Sequence, residues 1–299
     1  MGLLFLLLVA ALLVVVALVT ATVYESIRPR RRSTGWALGV GWPEDPSALG
    51  VDSEEWALER PKQVRLPVWD VPGHQPDGPV LILVHGFGRS RLTWLPHLEE
   101  WRGRGSRVVM IDLRGHGDAT PDGAGLGDAD VEDLVALVEA VDRPEDGDDR
   151  RPIMVVGRSL GATVGILAAA ECPAIDAVVA VAPYETLRVP MAGRIALRGL
   201  PGWSAISIAL IVLRLLGRRP RSTCGAAARL RCPLLVIEGE LDQISPEEGA
   251  RAIAEAAPDA RYEVVAGAGH GDHWDHEPER LDAALDDLLA SLRVPVGTR

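Results

Sequence analysis

Lysine is nearly missing from this chain: Lys62 is the single one, and arginine supplies the rest of the 31 basic residues. Against 42 acidic residues the formal net charge is −11. Such a balance excludes the broad basic surface that nucleic-acid binding requires. Cysteine is also scarce. Cys172, Cys224 and Cys232 are an odd number in a 299-residue chain, which excludes a disulfide framework and leans towards a reducing compartment. No internal repeat is visible. What is present is ordinary globular usage, 47% hydrophobic and 24% charged, which excludes wholesale disorder.

The hydrophobicity is front-loaded. From Gly2 to Val23 there is no charged side chain, and Leu3–Val19 is almost entirely Leu, Val, Ala and Phe. About 20 such residues span a bilayer as a helix. The run lacks the basic lead and small-x-small site of a cleaved signal peptide, so residues 1–27 read as an uncleaved single-pass membrane anchor. Arg28, Arg30, Arg31 and Arg32 follow it, and the positive-inside tendency then places the following domain in the cytoplasm. Beyond Arg32, 27 basic residues face 41 acidic ones, a net of −14, so attachment to an anionic leaflet falls to the anchor and its arginines.

Residues 28–61 read as a basic juxtamembrane segment and linker, and 62–299 as one domain. There, short apolar runs alternate with helical patterns. The strand candidates are Val64–Trp69, Val80–Val84, Val108–Ile111, Ile153–Val156, Ala177–Ala182, Leu234–Glu238 and Tyr262–Val265. Helix candidates are Leu92–Arg102, Ala129–Val141 with Asp128 as N-cap, Ala162–Cys172, Pro246–Ala256 with Ser245 as cap, and Glu279–Leu292. This alternation predicts an α/β fold with a doubly wound, mostly parallel sheet. The stretch 184–230 is too long for one crossover and predicts a helical cap; its apolar piece Ser204–Leu216 is too short to span a bilayer. Asp142–Arg151 reads as a solvated charged loop.

Chemistry concentrates in a few motifs. Gly157-Arg-Ser159-Leu-Gly161 lies between a strand and a helix, the context of a nucleophile elbow. The sharp turn lifts the Ser159 hydroxyl above the sheet, and the N–H of Leu160 faces the place where an oxyanion forms. Without that context it would be an ordinary Gly/Ser turn. His85-Gly86-Phe87-Gly88 follows a strand; in the hydrolytic reading Phe87 offers the second oxyanion N–H and His85 is structural. Asp112-Leu-Arg-Gly-His-Gly reads as a structural turn, with His116 a weaker candidate base.

A serine nucleophile needs a base, and the base an orienting carboxylate, in the chain order Ser, acid, His. The histidines after Ser159 are His270, His273 and His276, and His270 stands just past a strand end. Asp242 follows the preceding strand and is the candidate acid, with Glu240 its rival. The three histidines with interleaved carboxylates also permit a metal site, a reading that leaves Ser159 and Asp242 unused.

Taken together, His85-Gly-Phe-Gly, Asp112-Leu-Arg-Gly-His-Gly, Gly157-Arg-Ser159-Leu-Gly, Gly239-Glu-Leu-Asp242 and Gly-Ala-Gly-His270 resemble the α/β-hydrolase superfamily over roughly Val64 to Leu292. Within it the pattern is similar to the serine-aminopeptidase and monoglyceride-lipase-like branch and its membrane-anchored relatives. The resemblance implies a membrane-anchored serine hydrolase with Ser159, His270 and Asp242 as triad, Phe87 and Leu160 as oxyanion donors, and neither metal nor organic cofactor. Its partner would be a small acyl substrate, and the apolar cap and membrane tether suit a lipophilic ester such as a monoacylglycerol. Amides, thioesters and acyl transfer use the same triad, and a non-catalytic binding protein is the remaining alternative. Two features depart from the family pattern: Arg158 beside the nucleophile, and the His/Asp-rich loop after His270.

Overall fold

The computed structural model describes residues 2–142, 150–199 and 203–292, so the central part of the charged loop, 143–149, lies outside the described residues. Eight strands form one sheet: β1 (Glu54–Arg60), β2 (Val64–Pro72), β3 (Val80–Val84), β4 (Arg107–Ile111), β5 (Ile153–Arg158), β6 (Ala177–Val181), β7 (Leu234–Gly239) and β8 (Ala260–Val265). Their order is β1-β2-β4-β3-β5-β6-β7-β8. β1 and β2 pair antiparallel, as do β2 and β4; the remaining neighbours are parallel.

The helices are α1 (Gly2–Ile27), α2 (Thr34–Val40), α3 (Leu98–Arg102), α4 (Asp128–Val141), α5 (Leu160–Ala169), α6 (Arg188–Ala196), α7 (Trp203–Leu215), α8 (Thr223–Ala227), α9 (Glu247–Ala256), α10 (His273–His276) and α11 (Pro278–Leu292). They cover both faces of the sheet. Side chains of a strand alternate between faces, so β5 sends Ile153 and Val155 to one core and Met154 and Val156 to the other. The first core is closed by α4, α5, α8 and α9, through residues such as Leu134, Ile166, Ala227 and Ile253. The second is closed by α3 and α11, with Trp101, Leu281 and Leu285.

Several local expectations are revised. The stretch 28–61 holds α2 and the edge strand β1, so its later part is built into the sheet; the short alternation Glu54–Arg60 hides among acidic residues because an edge strand buries little. The helix expected over Leu92–Arg102 is split, with a 3-10 segment over Arg91–His97 before α3. Pro96 has no N–H to donate and disfavours helical geometry at Leu95. Asp128 is the first residue of α4 rather than its cap. Gly127 takes the cap position at φ 156°, where a Cβ would fall 2.1 Å from the Arg219 carbonyl oxygen. Pro246 precedes α9 in extended geometry, and Ser245 does not cap it.

The cap comprises α6 and α7, while α8 packs with α5 and α9 against the sheet. The core of the cap joins Leu187, Met191, Ile195, Ile206, Ala209 and Leu213. Val19, Val23 and Ile27 of α1 pack against the same cluster. α1 is long and apolar enough to cross a membrane, with a mean hydropathy of 3.3 in its most apolar window. Its C-terminal end is fastened to the domain: the Ile27 carbonyl accepts from the Ala124 N–H at 2.8 Å, Arg31 donates to the Gly117 carbonyl at 3.0 Å, and Glu25 pairs with Arg198 at 2.8 Å.

Candidate active site

The parallel strands β3, β5, β6 and β7 end at one edge of the sheet, and the loops leaving them carry the residues of interest. β5 turns into α5 at Ser159, which adopts φ 52°, ψ −111°. A positive φ at a non-glycine residue is strained and is held by its surroundings. The turn is tight because two glycines permit it. A Cβ on Gly157 would lie 2.3 Å from the Gly161 carbonyl carbon, and one on Gly161 would lie 2.2 Å from the Val84 carbonyl oxygen. The close packing of β3, the elbow and α5 therefore requires both.

The structure brings the three predicted polar residues together. His270 places Nε2 3.0 Å from Ser159 Oγ and Nδ1 2.6 Å from Asp242 Oδ2. With the Nδ1 proton donated to the carboxylate, Nε2 is left to accept from the hydroxyl. Asp242 Oδ1 accepts from the N–H groups of Ile244 and Ser245, at 2.7 and 3.0 Å. Burial alone would raise the Asp242 pKa, but its hydrogen bond to His270, that ring's charge and the two backbone donors prevail and hold it at about 2. Its rival Glu240 points elsewhere and accepts from the Gly267 N–H at 2.9 Å, bracing the loop that carries His270.

Leu160 directly follows Ser159, and Phe87 belongs to the loop after β3 whose Gly86 passes beside it. The Gly86 backbone lies so close that a Cβ there would be 3.5 Å from Ser159 Cβ. Leu160 opens α5, where N–H groups have no intrahelical acceptor. Among the described residues neither the Phe87 nor the Leu160 N–H donates a hydrogen bond. Two free donors beside a nucleophile can receive a developing negative charge.

The other histidines have different surroundings. His85 is fully buried, accepts from the Leu113 N–H at Nε2 (2.9 Å), and is pushed down to about 3 by burial. His116 is also buried and lowered to about 4 by burial; it packs between His85 and Phe87. Asp112 accepts from the Arg91 and Asp118 N–H groups, both at 2.8 Å, and Arg114 forms a double hydrogen bond to Asp133 at 2.8 and 2.9 Å. These residues tie loops together. The metal reading finds no support in geometry. His273 is buried with neither ring nitrogen bonded, His276 lies 3.4 Å from Asp272, and among the described residues no group of three or more ligands is placed to hold a metal.

Three features of the site were not legible from motifs. Ser245 Oγ donates to Asp242 Oδ2 at 2.9 Å and lies 3.2 Å from His270 Nδ1, so it serves the acid rather than a helix. Glu238, buried near Asp242, is pushed up to about 10 by burial and then by the Asp242 charge, and so keeps its proton at neutral pH. Arg158 donates to the Gly271 carbonyl at 2.6 Å, linking the residue before Ser159 to the residue after His270. The departure at Arg158 is thus a cross-link between two loops of the site.

Comparison with known proteins bears on the family and the fold. A sequence model described as the alpha/beta hydrolase family matches residues 81–284. An uncharacterized protein of Mycobacterium tuberculosis is 28% identical over 283 residues, covering 93% of this chain and 92% of its own. Protein phosphatase methylesterase 1 of Mus musculus is 35% identical over 95 residues, 31% of this chain and 24% of the methylesterase. The Pyrococcus furiosus esterase Pf2001 has the same fold, with a TM-score of 0.70 at 22% identity over 88% of this chain and 99% of that one. The match runs from β3 into α11 and takes in the elbow and the loops that bear Asp242 and His270, and on that ground the chain is a hydrolase of the alpha/beta hydrolase family.

Proposed function

We propose that the protein is a membrane-anchored serine hydrolase of carboxylic esters. The observation that carries this reading is the continuous chain Ser159 Oγ to His270 Nε2 at 3.0 Å and His270 Nδ1 to Asp242 at 2.6 Å, on a strained elbow. Ser159 attacks the acyl carbonyl while His270 takes its proton. The oxyanion settles against the N–H groups of Phe87 and Leu160, each worth on the order of 3 kcal/mol in such sites. His270, held as imidazolium by Asp242, returns the proton to the leaving alcohol. Water, activated by the same imidazole, then releases the acid.

The membrane attachment is assigned to α1. The arginines that follow it favour a cytoplasmic orientation of the domain by the positive-inside tendency. A lipophilic ester such as a monoacylglycerol is the substrate class that suits the surroundings. α7 packs beside α1, and its outward side chains Ile208, Ile211 and Leu215 are exposed. Apolar surface of that kind, next to a membrane helix, favours substrate delivered from the bilayer. Turnover of p-nitrophenyl esters from two to twelve carbons by the full chain in detergent tests this. Rates should rise with chain length and vanish in Ser159→Ala. A preference for acetate would contradict the lipophilic substrate, and Ser159-independent turnover would contradict the mechanism.

A further inference from the structure

The 27 basic and 41 acidic residues beyond Arg32 are unevenly spread. Between Glu185 and Glu238 there is no acidic residue, and residues 186–221, which hold α6 and α7, carry seven arginines. This basic segment is also an apolar one. In α7, Ile206, Ala209 and Leu213 turn inward and are buried. Ile208, Ile211 and Leu215 form an outward stripe at i, i+3 and i+7, exposed by 42, 57 and 82%. Leu216 extends it, and Arg214 and Arg219 stand exposed at the same end. Arginines around an apolar helix face complement an anionic bilayer surface, because their stems lie along acyl chains while their heads reach the phosphates.

The length of α1 fixes how deep α7 sits. Val19, Val23 and Ile27 pack on the cap cluster of Ile206, Ala209 and Leu213, so at most the 17 residues Gly2–Leu18 stand clear of the domain. At 1.5 Å per residue these measure about 25 Å, against about 30 Å of hydrocarbon. The uncharged stretch runs on to Tyr24, for about 34 Å in all, and Glu25 and Arg28 come only after it. Tyr24 is 61% exposed, with the Arg28 guanidinium 5.8 Å over its ring, as suits the level where aromatic side chains meet headgroups. The hydrocarbon boundary therefore falls between Val19 and Tyr24, on the part of α1 that already touches the cap. We propose that α7 is a second membrane element: Ile208, Ile211 and Leu215 lie among the acyl chains of the leaflet at which α1 ends, and the arginines of the cap meet its anionic headgroups. This rests on the membrane-anchor reading of α1. The 13 residues of α7, about 20 Å, are too few to cross, so the helix lies in the margin of the bilayer. An acyl ester leaving that leaflet meets the cap before it meets water.

The test is photolabelling of the full wild-type chain in vesicles of phosphatidylcholine and phosphatidylglycerol. The probe is an aryl diazirine that partitions into hydrocarbon, with glutathione in the water to quench the remainder. Trypsin then releases α1 in the peptide 1–30, α7 in the peptide 199–214, and most of α11 in the peptide 281–293 as a control. Label per residue in 199–214 should exceed that in 281–293 by about tenfold or more. In the double variant Ile208→Asn, Ile211→Asn, altered at two exposed positions, label on 199–214 should fall at least about fivefold while that on 1–30 stays the same. Label on 1–30 with 199–214 at the level of the control would overturn the proposal, because water or a second copy of the chain then covers the stripe. Label on 199–214 that survives the double substitution would overturn it too, since it then marks the inward side of the helix. Absence of label from 1–30 overturns the anchor reading beneath it.

Discussion

Asp242→Asn separates the two things that the carboxylate does. Oδ1 is pinned by the N–H groups of Ile244 and Ser245, at 2.7 and 3.0 Å. The amide oxygen of an asparagine must take that place, because an NH2 there would face two donors. The NH2 then falls where Oδ2 was, 2.6 Å from His270 Nδ1. It donates to Nδ1 and drives the ring proton to Nε2, the nitrogen that must accept from Ser159. The imidazolium also loses its counter-charge. In a Ser-His-Asp site this exchange costs about 10⁴-fold in kcat, about 5 kcal/mol.

The same substitution has a consequence for stability. The folded pKa of Asp242, about 2, lies below the unfolded value. Its stabilising contribution is therefore complete above about pH 5 and disappears as pH falls towards 2, with a size of roughly 2 kcal/mol. Steady-state hydrolysis of a p-nitrophenyl ester and urea unfolding from pH 2 to 7 measure both. A variant that keeps more than a tenth of kcat would refute the orientation argument. A stability difference between wild type and variant that fails to narrow below pH 4 would refute the electrostatic one.

Other consequences concern the surroundings of the site. Glu238 holds a proton in the fold up to about pH 10 that an unfolded carboxyl loses near 4.3, so it costs stability increasingly as pH rises between those values. Glu238→Gln removes that titration, and its stability advantage over wild type, read by urea unfolding at pH 5, 7 and 9, should grow with pH; parallel curves would contradict the assignment. Gly161→Ala puts a Cβ 2.2 Å from the Val84 carbonyl oxygen, where only backbone can give way. It should cost about 1–3 kcal/mol and slow fluorophosphonate labelling by more than tenfold, a rate within twofold of wild type being the contrary result. Beginning the chain at Arg28 strips Val19, Val23 and Ile27 from the cap, whereas beginning it at Leu18 keeps them. The shorter form should lose about 3 kcal/mol and unfold at lower temperature, and equal midpoints would show that α1 only tethers.

The legibility of the sequence follows physical lines. The inner strands could be read because burial on both faces leaves runs such as Val80–Val84 and Ala177–Val181 wholly apolar. β1 escaped because Glu54, Glu55 and Glu59 occupy an exposed edge, and its pairing with β2 is a long-range fact. Ser159, Asp242 and His270 could be placed because each follows a strand end, where geometry is dictated by the next element. Ser245 and Glu238 could not, since their roles depend on distances to Asp242 that no spacing encodes. Nor could the docking of α1 on the cap be foreseen. An apolar helix of 26 residues has no face that distinguishes lipid from protein, and Val19, Val23 and Ile27 are identified only by the partners they meet.

The central claim is that Ser159 is a nucleophile activated by His270 and Asp242. Its most direct measurement is fluorophosphonate labelling of the full chain followed by peptide mass spectrometry. The account predicts one adduct, on Ser159, lost in Ser159→Ala and slowed by orders of magnitude in His270→Ala. A folded protein that stays unlabelled, or an adduct that forms at the same rate without His270, would contradict it.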